Sequence, residues 1–129
     1  MQISNVHHIA IISSNYEASK RFYTEVLGFS IIRENYRAAR DSYKLDLTVD
    51  EHTQIELFSF PEPPPRPQYP EACGLRHLAF AVPDLDEAIA HLHTYGIETE
   101  PIRVDEFTNR RFTFFRDPDQ LPLELYELA

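Results

Sequence analysis

Val6-His7-His8-Ile9-Ala10-Ile11 near the start of the chain returns in the second half as Leu75-Arg76-His77-Leu78-Ala79-Phe80. Each copy is followed, some fifty residues on, by a second matching stretch: Ile55-Glu56-Leu57-Phe58 and Leu123-Glu124-Leu125-Tyr126. His8 and His77 are 69 positions apart, while Glu56 and Glu124, like Gly28 and Gly96, are 68 apart. The chain is therefore a tandem repeat. Each half carries one histidine on its first strand and one glutamate on its last, a set that can surround one divalent metal ion.

Working outward, the first half reads β-α-β-β-β. Val6–Ile12 is apolar and β-branched, hence a strand. Ser14 or Asn15 can cap a helix whose stripe is Ser19, Phe22, Tyr23, Val26 and Leu27. Gly28 stands where glycine ends helices. Strands are expected over Ser30–Tyr36, Tyr43–Val49 and Gln54–Phe60. The second half repeats the order. Leu75–Val82 is a strand, Asp84 with Glu87 caps a helix striped by Leu85, Ala88, Ile89 and Leu92, and Gly96 ends it. Strands are expected over Ile97–Ile102, Arg111–Arg116 and Pro122–Glu127, with Asp117-Pro118-Asp119-Gln120 as a turn.

Between the halves, Pro61–Pro70 holds six prolines in ten residues. Such a run forbids helix, disfavours interior strand and reads as a stiff polyproline strap. The expected architecture is α+β: one domain over 1–129, with βαβββ modules at 1–60 and 71–129 and a proline-rich linker at 61–70, forming a cupped mixed sheet.

Composition narrows the function. The length, 129 residues with 43% hydrophobic, suits one globular core. No apolar run is long enough to span a bilayer, and the N-terminus lacks the pattern of a secretory signal. Cys73 is the only cysteine, so a disulfide scaffold is excluded and a cytoplasmic location is expected. The net charge of −9 offers no basic face for nucleic acid. An anionic substrate would need a local arginine cluster; Arg37 with Arg40, or Arg110 with Arg111, are candidates, solvated surface arginines being the commoner reading.

Strand alternation tests the metal reading. His8 opposes Ile9 and Ile11; Glu56 opposes Ile55 and Leu57; His77 opposes Leu78 and Phe80; Glu124 opposes Leu123 and Leu125. All four polar groups therefore share the face turned away from the helices. No lysine or arginine lies within these strands to pair both glutamates, and two unpaired carboxylates on a sheet are costly. Two imidazoles, two carboxylates and one M²⁺ sum to zero charge. Such N₂O₂ ligation fits Zn, Ni, Co, Mn or Fe(II). His7, of opposite parity, is expected not to be a ligand, and His52, His91 and His93 are expected in solvent. Tyr36, Phe58, Phe60, Phe112 and Phe114 are candidates to line a pocket or fill the core.

The chain resembles the vicinal oxygen chelate superfamily, which includes glyoxalase I, methylmalonyl-CoA epimerase, fosfomycin-resistance proteins, extradiol dioxygenases and bleomycin-resistance proteins. The resemblance rests on His8-Ile9-Ala10-Ile11, Phe22-Tyr23-x-x-Val26-Leu27-Gly28-Phe29, Gly74-Leu75-Arg76-His77-Leu78-Ala79-Phe80, and Phe115-Arg116-Asp117-Pro118-Asp119 with Leu123-Glu124-Leu125. It covers essentially the whole chain. The order His8, Glu56, His77, Glu124 is similar to the ligand order of short bacterial glyoxalase I. The resemblance implies a lyase or isomerase acting on a small α-hydroxycarbonyl or hemithioacetal, a homodimer, and a glutamate base, Glu124 ahead of Glu56. A binding or resistance protein and an Fe(II) dioxygenase are the alternatives within the same fold. Two positions depart from the glyoxalase pattern: Ile12 and Phe60 stand where polar groups contact glutathione. Gln120 replaces the usual glycine after the Asp-Pro-Asp turn.

Overall fold

The computed structural model describes residues 1–129. The chain divides into two compact units, Met1–Pro65 and Arg66–Ala129, each with its own four-stranded mixed sheet. No helix is long and apolar enough to cross a membrane.

The first unit runs β1 (His8–Ser13), α1 (Tyr16–Arg21), β2 (Ser30–Arg37), β3 (Ser42–Thr48) and β4 (Gln54–Ser59). The strand order is β1-β4-β3-β2. β1 pairs with β4 in parallel and the other pairs are antiparallel. Asn15, not Ser14, caps α1: its side chain accepts a hydrogen bond from the Ala18 amide at 3.1 Å. The helix then widens into a π-helical turn over Phe22–Val26, with the Leu27 amide bonded to the Phe22 carbonyl at 3.1 Å. Ser19, Phe22, Tyr23 and Val26 are buried, as their spacing requires. Gly28 follows with φ 78°, a left-handed conformation that costs glycine no Cβ clash, and the chain turns into β2. Ile11, Leu45, Leu47, Ile55 and Leu57 form the buried side of this sheet, and α1 packs against β4.

The second unit runs β5 (Leu78–Val82), α2 (Leu85–Thr94), β6 (Arg103–Val104), β7 (Arg111–Arg116) and β8 (Pro122–Glu127), in the order β5-β8-β7-β6. Asp84 caps α2 through the Glu87 amide at 3.0 Å. Gly96, φ 72°, ends it as Gly28 ends the first helix. Leu85 and Leu92 pack with Leu123, Leu125 and Phe115 in this unit's core.

The expected strand over Ile97–Ile102 is not formed. Regular pairing is confined to Arg103–Val104, opposite Phe112 and Arg111. Upstream, only isolated bonds tie the segment to β7: the Glu100 amide to the Phe114 carbonyl at 2.9 Å, and Thr113 Oγ1 to the Glu100 carbonyl at 2.6 Å. Pro101 carries no amide hydrogen, so the ladder cannot continue through it. Both first strands start late, β1 at His8 and β5 at Leu78. The proline-rich segment 61–70 contains neither helix nor strand, as its composition requires.

Candidate metal centre

The same local construction occurs twice. In the first unit, the parallel register sets Ala10 opposite Glu56. In the second it sets Ala79 opposite Glu124. Each histidine precedes its alanine by two residues, so imidazole and carboxylate are diagonal neighbours on one face. The alanine leaves room between them. His8 Nδ1 lies 3.5 Å from Glu56 Oε2, and His77 Nε2 lies 3.0 Å from Glu124 Oε2. The carboxylates sit deep and the imidazoles shallower: side-chain exposure is 14% and 11% for Glu56 and Glu124, against 41% and 31% for His8 and His77. The backing residues Ile55, Leu57, Leu123 and Leu125 are buried, as strand parity predicts.

These separations suit ligands of a common ion. With metal–ligand bonds of about 2.1 Å, two donors stand about 3.0 Å apart at a right angle and about 3.4 Å apart at a tetrahedral angle. Each unit thus pairs one imidazole nitrogen with one carboxylate oxygen. Nowhere in the chain are three or more His, Cys, Asp or Glu side chains grouped in a metal-holding arrangement.

The two pairs differ in their surroundings. Lys44 Nζ lies 3.8 Å from Glu56 Oε1 and 2.7 Å from Asp46 Oδ1. Asp46, buried at 3% exposure, also receives Arg33 Nε at 3.0 Å. Glu56 therefore has a protein cation beside it, contrary to the expectation drawn from its own strand. Lys44 comes from β3, and only the antiparallel register, Asp46 opposite Glu56 and Lys44 opposite Phe58, brings it there. Glu124 has no such neighbour; its ion pair is with His77.

His7 lies immediately before β1, and its Nδ1 is 2.9 Å from His8 Nδ1. His52, His91 and His93 are exposed, as expected. The arginines are less solvated than anticipated. Arg37 stacks over Phe58 and Phe60, with its guanidinium 4.9 and 5.8 Å from the ring centres, and donates to Ser42 Oγ at 2.8 Å. Arg111 binds Glu127 at 2.6 Å and Asp86 at 2.9 Å, and these bonds raise its pKa. Of the expected aromatics, Phe58, Phe60, Phe112 and Phe114 are half-buried, while Tyr36 is exposed and donates to Asp41 at 2.7 Å. Ile12 is exposed on the face that carries His8 and Ala10.

The family profile described as Glyoxalase/Bleomycin resistance protein/Dioxygenase superfamily matches residues 5–125. The chain belongs to this superfamily. It is 63% identical over 127 residues to the uncharacterized protein YwkD of Bacillus subtilis (strain 168), covering 98% of this chain and 99% of that one. A crystal structure of a glyoxalase family protein from Enterococcus faecalis matches with a TM-score of 0.92 and 54% identity, over 98% of this chain and all of that one. At greater distance, the 2-epi-5-epi-valiolone epimerase of Actinomyces sp is 29% identical over 147 residues, covering 95% of this chain and 79% of that protein. Superfamily membership accounts for the paired βαβββ units.

Proposed function

We propose that the protein is a metal-dependent lyase or isomerase of glyoxalase type, acting on a small α-hydroxycarbonyl compound or hemithioacetal. The observation that carries this reading is the repeated His–Glu pair, each at a separation suited to shared ligation. In this reading His8, Glu56, His77 and Glu124 hold one divalent ion, Zn or Ni ahead of Co, Mn or Fe. When bound there, such an ion would supply Lewis-acid chemistry.

The chain's own contribution is the proton transfer. Glu124 takes the carbon-bound proton and returns it to the neighbouring carbon. It suits this role better than Glu56, whose charge Lys44 already offsets. Backing by Leu123 and Leu125 keeps water from that side of the strand. The apolar Ile12 and Phe60 point to a thiol other than glutathione, or to none. A homodimer acting in the cytoplasm completes the reading.

Elemental analysis of the purified protein tests it first, followed by assay with the methylglyoxal–glutathione adduct and with adducts of other thiols. About one equivalent of divalent metal per chain and turnover of one adduct are expected. Metal-free protein that binds small molecules unchanged in the presence of a chelator would favour the alternative, a sequestering protein of the same fold.

A further inference from the structure

We propose that the cavity beside His77 seats an anionic group of the substrate, a carboxylate or phosphate, gripped by Arg103 and Arg116; this deepens the function proposed above and rests on it. The cavity measures about 470 Å³ and lies wholly within the second unit. His77 forms part of its wall. Its charged lining is Arg66, Arg76, Arg103 and Arg116 against Glu71 and Glu100. Four positive and two negative groups leave a wall of +2, in a chain whose net charge is −9. A basic pocket on an acidic protein attracts an anion locally while the remainder of the surface repels it.

The arginines are positioned rather than loose. The Arg103 guanidinium lies over Phe112 and Phe114, 5.2 and 5.3 Å from the ring centres. Stacking of this kind fixes the plane of the fork and lowers the entropy lost on binding. One carboxylate now stands between Arg103 and Arg116: Glu100 Oε1 is 3.1 Å from Arg103 Nη2, and Glu100 Oε2 is 3.9 Å from Arg116 Nη2. The two guanidiniums thus already accommodate a carboxylate, and Glu100 is exposed enough to yield its place. Each guanidinium has five N–H donors, far more than Glu100 can satisfy. Arg66 donates to the Leu75 carbonyl at 3.0 Å, and its Nε is buried without a hydrogen-bond partner. His77, in the cavity wall, contacts Glu124 at 3.0 Å, so an anion held here is separated from the proposed base by one side chain.

Titration of the full-length, metal-loaded protein with inorganic phosphate and with propionate, followed by calorimetry, tests the proposal. Wild-type protein is expected to bind at least one of them saturably, and Arg103→Gln/Arg116→Gln to weaken that binding at least ten-fold. Arg116→Gln alone, which leaves the stacked Arg103 in place, is expected to weaken it several-fold if the double variant fails to fold. Arg21→Gln, on α1, is expected to change nothing. No saturable binding to the wild type, or affinity in both arginine variants within two-fold of wild type, overturns the proposal. So does loss of binding in Glu124→Gln with the arginine variants unaffected, because the anion then sits on the metal. Metal content is measured alongside: arginine-dependent binding by protein that holds no metal leaves the anion seat standing and removes the metal reading, and the reverse result does the opposite.

Discussion

His77 Nε2 and Glu124 Oε2 stand 3.0 Å apart, and Ala79, opposite Glu124 in the parallel register, is the residue that leaves them room. Position 79 is exposed, so a larger side chain there disturbs little core. Ala79→Leu is expected to separate the pair and lower divalent-metal affinity about 10–100-fold, the range typical of a disturbed ligand environment. Its thermal midpoint is expected to fall little. Metal titration with a chromogenic competitor, read beside a melting curve, checks both.

Replacing Glu124 by Gln removes the proposed base and keeps the shape. Turnover on whichever adduct proves active is expected to fall about 10²–10⁴-fold. Glu56→Gln is expected to cost less in kcat at matched metal content. Full turnover by metallated Glu124→Gln would refute the assignment of the base.

Lys44 serves two carboxylates at once, Asp46 at 2.7 Å and Glu56 at 3.8 Å. Lys44→Met leaves the buried Asp46 with Arg33 as its ion-pair partner, and stability is expected to drop by about 1–3 kcal/mol. Glu56 loses a competing cation in the same variant, so metal affinity is expected to rise. Denaturant unfolding and metal titration should move in opposite directions.

Gln120 occupies a left-handed conformation, φ 67°, in the turn after Asp117-Pro118-Asp119. The buried Asp117 carboxylate holds that turn by accepting from the Asp119 amide at 2.8 Å and the Leu121 amide at 2.9 Å. A side chain with a Cβ is strained there, which explains why glycine is the usual residue at this place in the resemblance. Gln120→Gly is expected to stabilise by about 0.5–1 kcal/mol, the relief of strain exceeding the added chain entropy. Gln120→Val is expected to destabilise. Urea midpoints of the two variants test the sign.

Glu34 accepts from Lys20 Nζ at 2.8 Å and from the Tyr16 hydroxyl at 2.5 Å, and these bonds, Lys20 first, hold its carboxyl below the usual range. A depressed carboxyl pKa stabilises the fold above the unfolded value, near pH 4.3, and that contribution is lost as pH falls through the folded value. Glu34→Gln is expected to flatten the stability–pH curve below about pH 4.5 and to lower stability at neutral pH. Melting temperatures at a series of acid pH values provide the comparison.

Much of this was legible in the chain itself. Helix caps at Asn15 and Asp84, helix stops at Gly28 and Gly96, and the alternation of Glu56 and Glu124 against buried leucines and isoleucine are local consequences of residue type and period. One expectation fails for a physical reason: Ile97–Ile102 has strand composition, but Pro101 has no amide hydrogen for the ladder, and pairing begins only at Arg103.

The sequence alone determined the repeat, the βαβββ order of each half, and which face of each strand carries its polar residue, because periods of 2 and 3.6 are properties of the chain. Tertiary structure decided the rest: the alanine gap between His77 and Glu124, the arrival of Lys44 beside Glu56, and the stacking of Arg103 on Phe112 and Phe114. Each of these depends on which strand lies next to which and in what register. Register comes from the summed burial of whole sheets, and no single stretch of residues encodes it.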